Sequence, residues 1–134
     1  MSAITLSFPG GLAVHAHLDG HVVATDQPER AGGGDSAPSP FDLFLASLAT
    51  CAGYFALRFC RQRQIDTAGL EVRMTERRDE AAHRVAELAI EVRTPPGFPD
   101  KYRPALMRAI DQCSVKRHLL EPPEIRVELV AATP

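Results

Sequence analysis

Between Phe41 and Cys60, apolar side chains fall on nearly every side of a helix: Phe41, Leu43, Phe44, Leu45, Leu48, Ala49, Cys51, Ala52, Tyr54, Phe55, Leu57 and Phe59. A helix that is hydrophobic all round is buried all round. Its start is marked. Ser39 suits the N-cap, Pro40 suits the first helical position, and Asp42 three residues after the cap completes a capping-box pattern. A helix from Ser39 to Arg63 is about 37 Å long. A compact globule of this length spans only ~26 Å. One chain of 134 residues cannot wrap that helix alone, so a second subunit is expected to cover part of it. The size itself is that of one domain, taken as residues 1–134.

The flanking segments read as strands. Ile4, Leu6 and Phe8 alternate before Pro9-Gly10-Gly11, and Leu12, Val14, Ala16 and Leu18 alternate after it. Asp19-Gly20 is a two-residue hairpin signal that pairs Leu18 with His21 and His17 with Val22. Residues 27–38, with two prolines and three consecutive glycines, form a loop. Beyond the long helix, Leu70, Val72 and Met74 alternate, as do Ala86, Leu88, Ile90 and Val92, with a turn at Asp79–Ala82. Tyr102, Leu106, Ala109, Ile110 and Cys113 fall at helical spacing and predict a second, amphipathic helix. Pro122-Pro123 ends it, and Ile125, Val127 and Leu129 predict a last strand. The expected order is β-β-β-α-β-β-α-β.

Composition removes several function classes. The net charge is −2, aromatic residues are 6% and tryptophan is absent. Neither the electrostatic footprint nor the stacking platform of a nucleic-acid binder is expected. No Lys or Arg precedes Arg30, so a secretory leader with a basic start is not expected. No run of 18 apolar residues is free of charge, so no membrane span is expected either. Three cysteines without C-x-x-C spacing fit a cytoplasmic chain rather than a disulfide framework or a zinc site. His15 and His17 share a strand face, but the hairpin places His21 on the other, so no metal is expected. Gly32–Gly34 lack the Lys-Ser/Thr of a phosphate loop, and no cofactor is expected.

Two thiols remain as candidate chemistry. Cys51 lies near the middle of the apolar helix. It reads either as a small buried hydrophobe or as a reactive thiol, and the second reading needs a cation nearby because burial alone raises a thiol pKa. Cys113 is either the last apolar position of the second helix or a second reactive thiol. Cys60, nine residues after Cys51, is about 13.5 Å along the same helix and on its opposite face, beyond disulfide reach. It reads as core.

The stretch from Asp26 to Cys51 resembles the OsmC/Ohr family in its OsmC-like branch: a glycine-rich loop, Ala37-Pro38-Ser39-Pro40, an acidic residue, a Leu-rich helix, then Ala49-Thr50-Cys51. Asp111-Gln112-Cys113-Ser114-Val115 resembles that family's second motif. The resemblance implies an α+β fold with two antiparallel sheets around long central helices in an intertwined homodimer. It implies cysteine-based reduction of organic hydroperoxides in an oxidative-stress setting. Carried over residue by residue, Cys51 is the attacking thiolate and Cys113 the resolving thiol. Arg30 is the cation before the helix, and Asp42 is the carboxylate near the helix start. The partners implied are a second copy, a hydroperoxide, and a dithiol reductant such as a lipoylated protein or a small thiol. A dimeric, non-catalytic binder of a hydrophobic small molecule, with its thiols as packing residues, is the alternative.

Overall fold

The computed structural model describes residues 3–133 as a mixed α+β fold with two small antiparallel sheets and three α-helices. In chain order these are β1 (Thr5–Gly10), β2 (Ala13–Leu18), β3 (His21–Thr25), α1 (Pro40–Gln62), β4 (Glu71–Asp79), β5 (Arg84–Arg93), α2 (Arg103–Ile110) and α3 (Ser114–Leu120). Backbone proximity divides the chain into two compact units, residues 1–47 and 48–134.

The first unit is the β1-β2-β3 sheet, the glycine loop and the start of α1. Leu18 pairs with His21 and His17 with Val22, the register that a two-residue Asp-Gly turn dictates. Asp19 and Gly20 both adopt positive φ, as such a turn requires. The glycine loop is closed by Asp26, whose amide donates to the Pro38 carbonyl at 3.2 Å. Gly33 packs so tightly on the backbone of Gln27 that a Cβ there would collide with it. The start of α1 carries the full capping box: the Asp42 amide donates to Ser39 Oγ and the Ser39 amide to Asp42 Oδ2, each at 3.2 Å.

The second unit holds a core of Ala52, Ala56, Phe59 and Cys60 from α1, with Phe98, Leu106 and Ile110. Val72, Ile90 and Val92 of the β4-β5 hairpin pack against it. By length and composition α1 could cross a membrane, which the charge-interrupted sequence did not suggest. Four of its residues serve this core instead. The helix ends in a left-handed cap, with Gln64 at φ 54° and the Ile65 amide returning to the Cys60 carbonyl at 2.9 Å.

Two expectations are corrected. The single second helix is broken: α2 stops at Ile110, and Cys113, at φ −51° and ψ 118°, leaves helical geometry and caps a separate α3. The apolar stripe of Leu106, Ile110 and Cys113 ends on the capping residue itself, and α3 buries none of its residues, so periodicity could not reveal the break. The last strand is absent among the described residues. Residues 122–133 adopt no regular structure, and Val127 and Leu129 are 91% and 100% exposed. Alternation specifies a face, but a strand exists only when a neighbour completes its hydrogen-bond ladder.

Candidate functional site

Cys51 and Cys113 come together. Cys51 is half-buried on α1, Cys113 is buried at the break before α3, and the two side chains share a hydrogen bond. Both thiols are free. Cys113 is held by its capping role, its Sγ accepting from the Lys116 amide at 3.4 Å.

The break in the helical region also aims donors at Cys51. Burial pushes the Cys51 thiol up, but hydrogen bonds from the Cys113 side chain, the Val115 and Ser114 amides and the Ser114 side chain outweigh it. The net direction is down. Cys113 moves the other way. Burial pushes it up, and its hydrogen bond to Cys51 and the nearby Cys51 charge push it further. Of the pair, Cys51 therefore ionises first and Cys113 keeps its proton. A half-exposed thiolate beside a covered thiol is the order that attack followed by resolution needs. Lys116, the cation nearest Cys113 in sequence, is paired with Asp111 at 2.6 Å.

At Cys113 lies an apolar cavity of about 420 Å³ between α1, β5, α2 and α3, walled by Leu48, Ala52, Ile90, Ile110, Cys113 and Leu119. Lys116 and Asp111 stand at the same cavity.

Arg30 and Asp42 belong to the first unit. Arg30 sits exposed in a 3₁₀ turn, Glu29–Ala31, inside the glycine loop. Asp42 is engaged in the capping box. Cys60 is fully buried in the core, and burial raises its pKa despite the opposing charge of Arg63. Ser7 Oγ and His17 Nε2 lie 2.8 Å apart. Among the described residues, no group of three or more His, Cys, Asp or Glu side chains could hold a metal.

Two structural features are not announced by the sequence, one at the thiol pair and one in the glycine loop of the first unit. One is the Ser114-Val115 start of α3. Cysteine is an unusual N-cap, so nothing announced a helix start after it. The other is Asp26, only 4% exposed. Its carboxylate accepts from the Gln27 amide at 2.7 Å, the Ser36 hydroxyl at 2.6 Å and the Ser36 amide at 3.1 Å. The Ser36 hydroxyl first, then the amides of Ser36, Gln27 and Gly34, hold its pKa at about 2 against the opposing effect of burial. Aspartate before a Gln-Pro and a glycine run was the available signal.

The chain matches the model of a family described as OsmC-like protein over residues 32–128. Its fold is similar to the crystal structure of a putative osmotic stress induced and detoxification response protein from Psychrobacter arcticus 273-4. The identity is 28%, with 87% of each chain covered and a TM-score of 0.71. It is also similar in fold to an OsmC-like protein from Mycoplasma pneumoniae, at 16% identity and a TM-score of 0.65, covering 90% of this chain and 87% of the other. A search of curated proteins finds no match.

Proposed function

From a chain that belongs to the OsmC-like family, with Cys51 lowered and Cys113 raised in one hydrogen-bonded pair, we propose a thiol-dependent peroxidase acting on organic hydroperoxides in the cytoplasm. The observation that carries this reading is the meeting of the Cys51 and Cys113 side chains, with the Ser114 and Val115 amides on Cys51 and an apolar cavity at Cys113.

The Cys51 thiolate attacks the outer oxygen of the peroxide. The O–O bond breaks, and the alkoxide takes a proton to leave as an alcohol. Cys51 is then a sulfenic acid. Cys113, already in hydrogen-bond contact, attacks that sulfur and expels water, which closes a disulfide. A dithiol reductant returns both thiols by exchange. The cavity of about 420 Å³ beside Cys113 suits the apolar body of the peroxide. Arg30 contributes its charge to the thiolate form in this reading, and Asp42 secures the start of α1. The working unit is a homodimer, because α1 leaves Phe41, Tyr54 and Leu57 40–55% exposed on a single chain.

The test is excess cumene hydroperoxide on the reduced chain, followed by thiol counting and mass mapping. A Cys51–Cys113 disulfide with Cys60 free is expected. Cys51→Ser abolishes peroxide consumption, and Cys113→Ser permits one turnover ending in a Cys51 sulfenic acid. Three free thiols after treatment overturn the reading in favour of a binder that uses the same cavity for a hydrophobic small molecule.

A further inference from the structure

A second, smaller cavity of about 260 Å³ runs between α1 and α2, and its lining differs from the first. Phe55, Arg58, Phe59 and Gln62 follow at three- and four-residue steps on α1, with Arg63 beyond them. Ala105, Arg108, Ala109 and Gln112 do the same on α2 and just past its end. One face of each helix therefore supplies a groove with an apolar floor and a rim of guanidinium and amide donors. Phe55 to Gln62 spans about 10.5 Å of helix.

The charge here is uncompensated. No carboxylate lines the groove among the described residues. Elsewhere on this chain arginines meet carboxylates: Arg77 with Glu87, Arg78 with Glu76, Arg93 with Glu71, and Arg103 with Asp100. None of the ion pairs among the described residues uses Arg58, Arg63 or Arg108. Arg63 is also pre-positioned. Its guanidinium lies 3.6 Å from the centre of the Phe59 ring, and its Nη1 donates to the Phe59 carbonyl at 3.5 Å. Stacking on an aromatic fixes the plane of the fork and lowers the entropy lost when it grips an anion.

We infer that the α1–α2 groove is a binding site for a small oligoanion, a soluble molecule carrying two or more phosphate or carboxylate groups. Arg58, Arg63 and Arg108 provide planar, bidentate donors of the kind that both groups match. Gln62 and Gln112 add amide N–H donors without introducing a negative charge. The volume holds about nine waters' worth of ligand, the scale of pyrophosphate or citrate. The site is separate from the apolar cavity beside Cys113 and does not depend on the peroxidase reading.

Calorimetric titration of the full chain with pyrophosphate, and separately with citrate, tests it. At low ionic strength at least one of the two is expected to bind saturably at one site per chain. The double variant Arg58→Gln/Arg108→Gln should weaken that affinity by roughly tenfold or more, the loss of a few charge-assisted hydrogen bonds. The control Arg61→Gln/Arg117→Gln removes the same charge outside the groove and should change it by less than about twofold. Thermal unfolding of each variant checks that it folds, and Arg63→Gln alone gives a second, milder lesion. Absence of saturable binding of either probe up to about 10 mM, or equal weakening in both double variants, overturns the inference.

Discussion

Cys113 donates its thiol hydrogen to Cys51 while capping the helix whose first amides reach the same sulfur. One residue therefore controls three kinds of donor at the Cys51 thiolate: its own S–H, the Ser114 and Val115 amides, and the Ser114 hydroxyl. In the proposed peroxidase cycle the activating donor would also be the resolving thiol. Its hydrogen bond lowers the Cys51 pKa, and the same sulfur would close the disulfide of that cycle.

Replacing Cys113 should accordingly raise the Cys51 pKa. The charged form is the thiolate, so losing a donor to it favours the protonated form. In a Cys60→Ala background, the pH midpoint for iodoacetamide alkylation of Cys51 is expected below the ordinary thiol value of 9.0. Cys113→Ala should move it upward and slow alkylation at neutral pH by about three- to tenfold. An unmoved midpoint would remove Cys113 from the activating role.

Arg30→Ala tests the loop cation. If its charge favours the thiolate, the variant should shift the same alkylation profile to higher pH and lower kcat/KM for cumene hydroperoxide, with thermal stability nearly unchanged because Arg30 is exposed. An identical profile would leave activation to the α3 donors alone.

Cys60→Ala should leave peroxide consumption intact and cost about 1 kcal/mol of stability through the small cavity it opens in a packed core. The residue is fully buried among Ala52, Ala56, Phe59 and Leu106. Chemical denaturation reads the cost, and a turnover assay reads the activity.

Asp26 gives stability a pH signature. Its folded pKa of about 2 lies below the ordinary value of 3.8. The carboxylate's contribution is therefore fully present above pH 3.8 and is lost as pH falls toward 2. Thermal melts of the wild type should drop across that window. Asp26→Asn should melt several degrees lower at pH 7 and show a flatter acid limb, because the glycine loop has lost its charged acceptor.

Sedimentation equilibrium at micromolar concentration should give twice the chain mass. Phe41, Tyr54 and Leu57 are exposed on the helix that most needs covering, and a standard interface buries about 1,600 Å². A monomer would leave α1 uncovered and reject the dimer.

The sequence was informative where local chemistry decides structure. The Leu18–His21 register and the Ser39–Asp42 capping box are each written in a few neighbouring residues. The thiol pair was legible only through two motifs, since nothing in the spacing of 51 and 113 brings them together. The break at Cys113 was hidden because Cys113 keeps the helical spacing of Leu106 and Ile110 while leaving helical geometry. The last strand failed for a different reason: Ile125, Val127 and Leu129 carry the right rhythm, but pairing is a property of two segments.

That unpaired stretch has a use as a reporter. Backbone amides outside any ladder exchange their hydrogens with solvent at rates close to those of a free chain, whereas paired amides wait for an opening event. The amides of residues 125–130 should thus exchange within the dead time of a deuterium pulse while the chain is alone. They should slow sharply once another strand lies beside them. Deuterium uptake in this one peptide, followed against protein concentration, turns the tail into a clock for association.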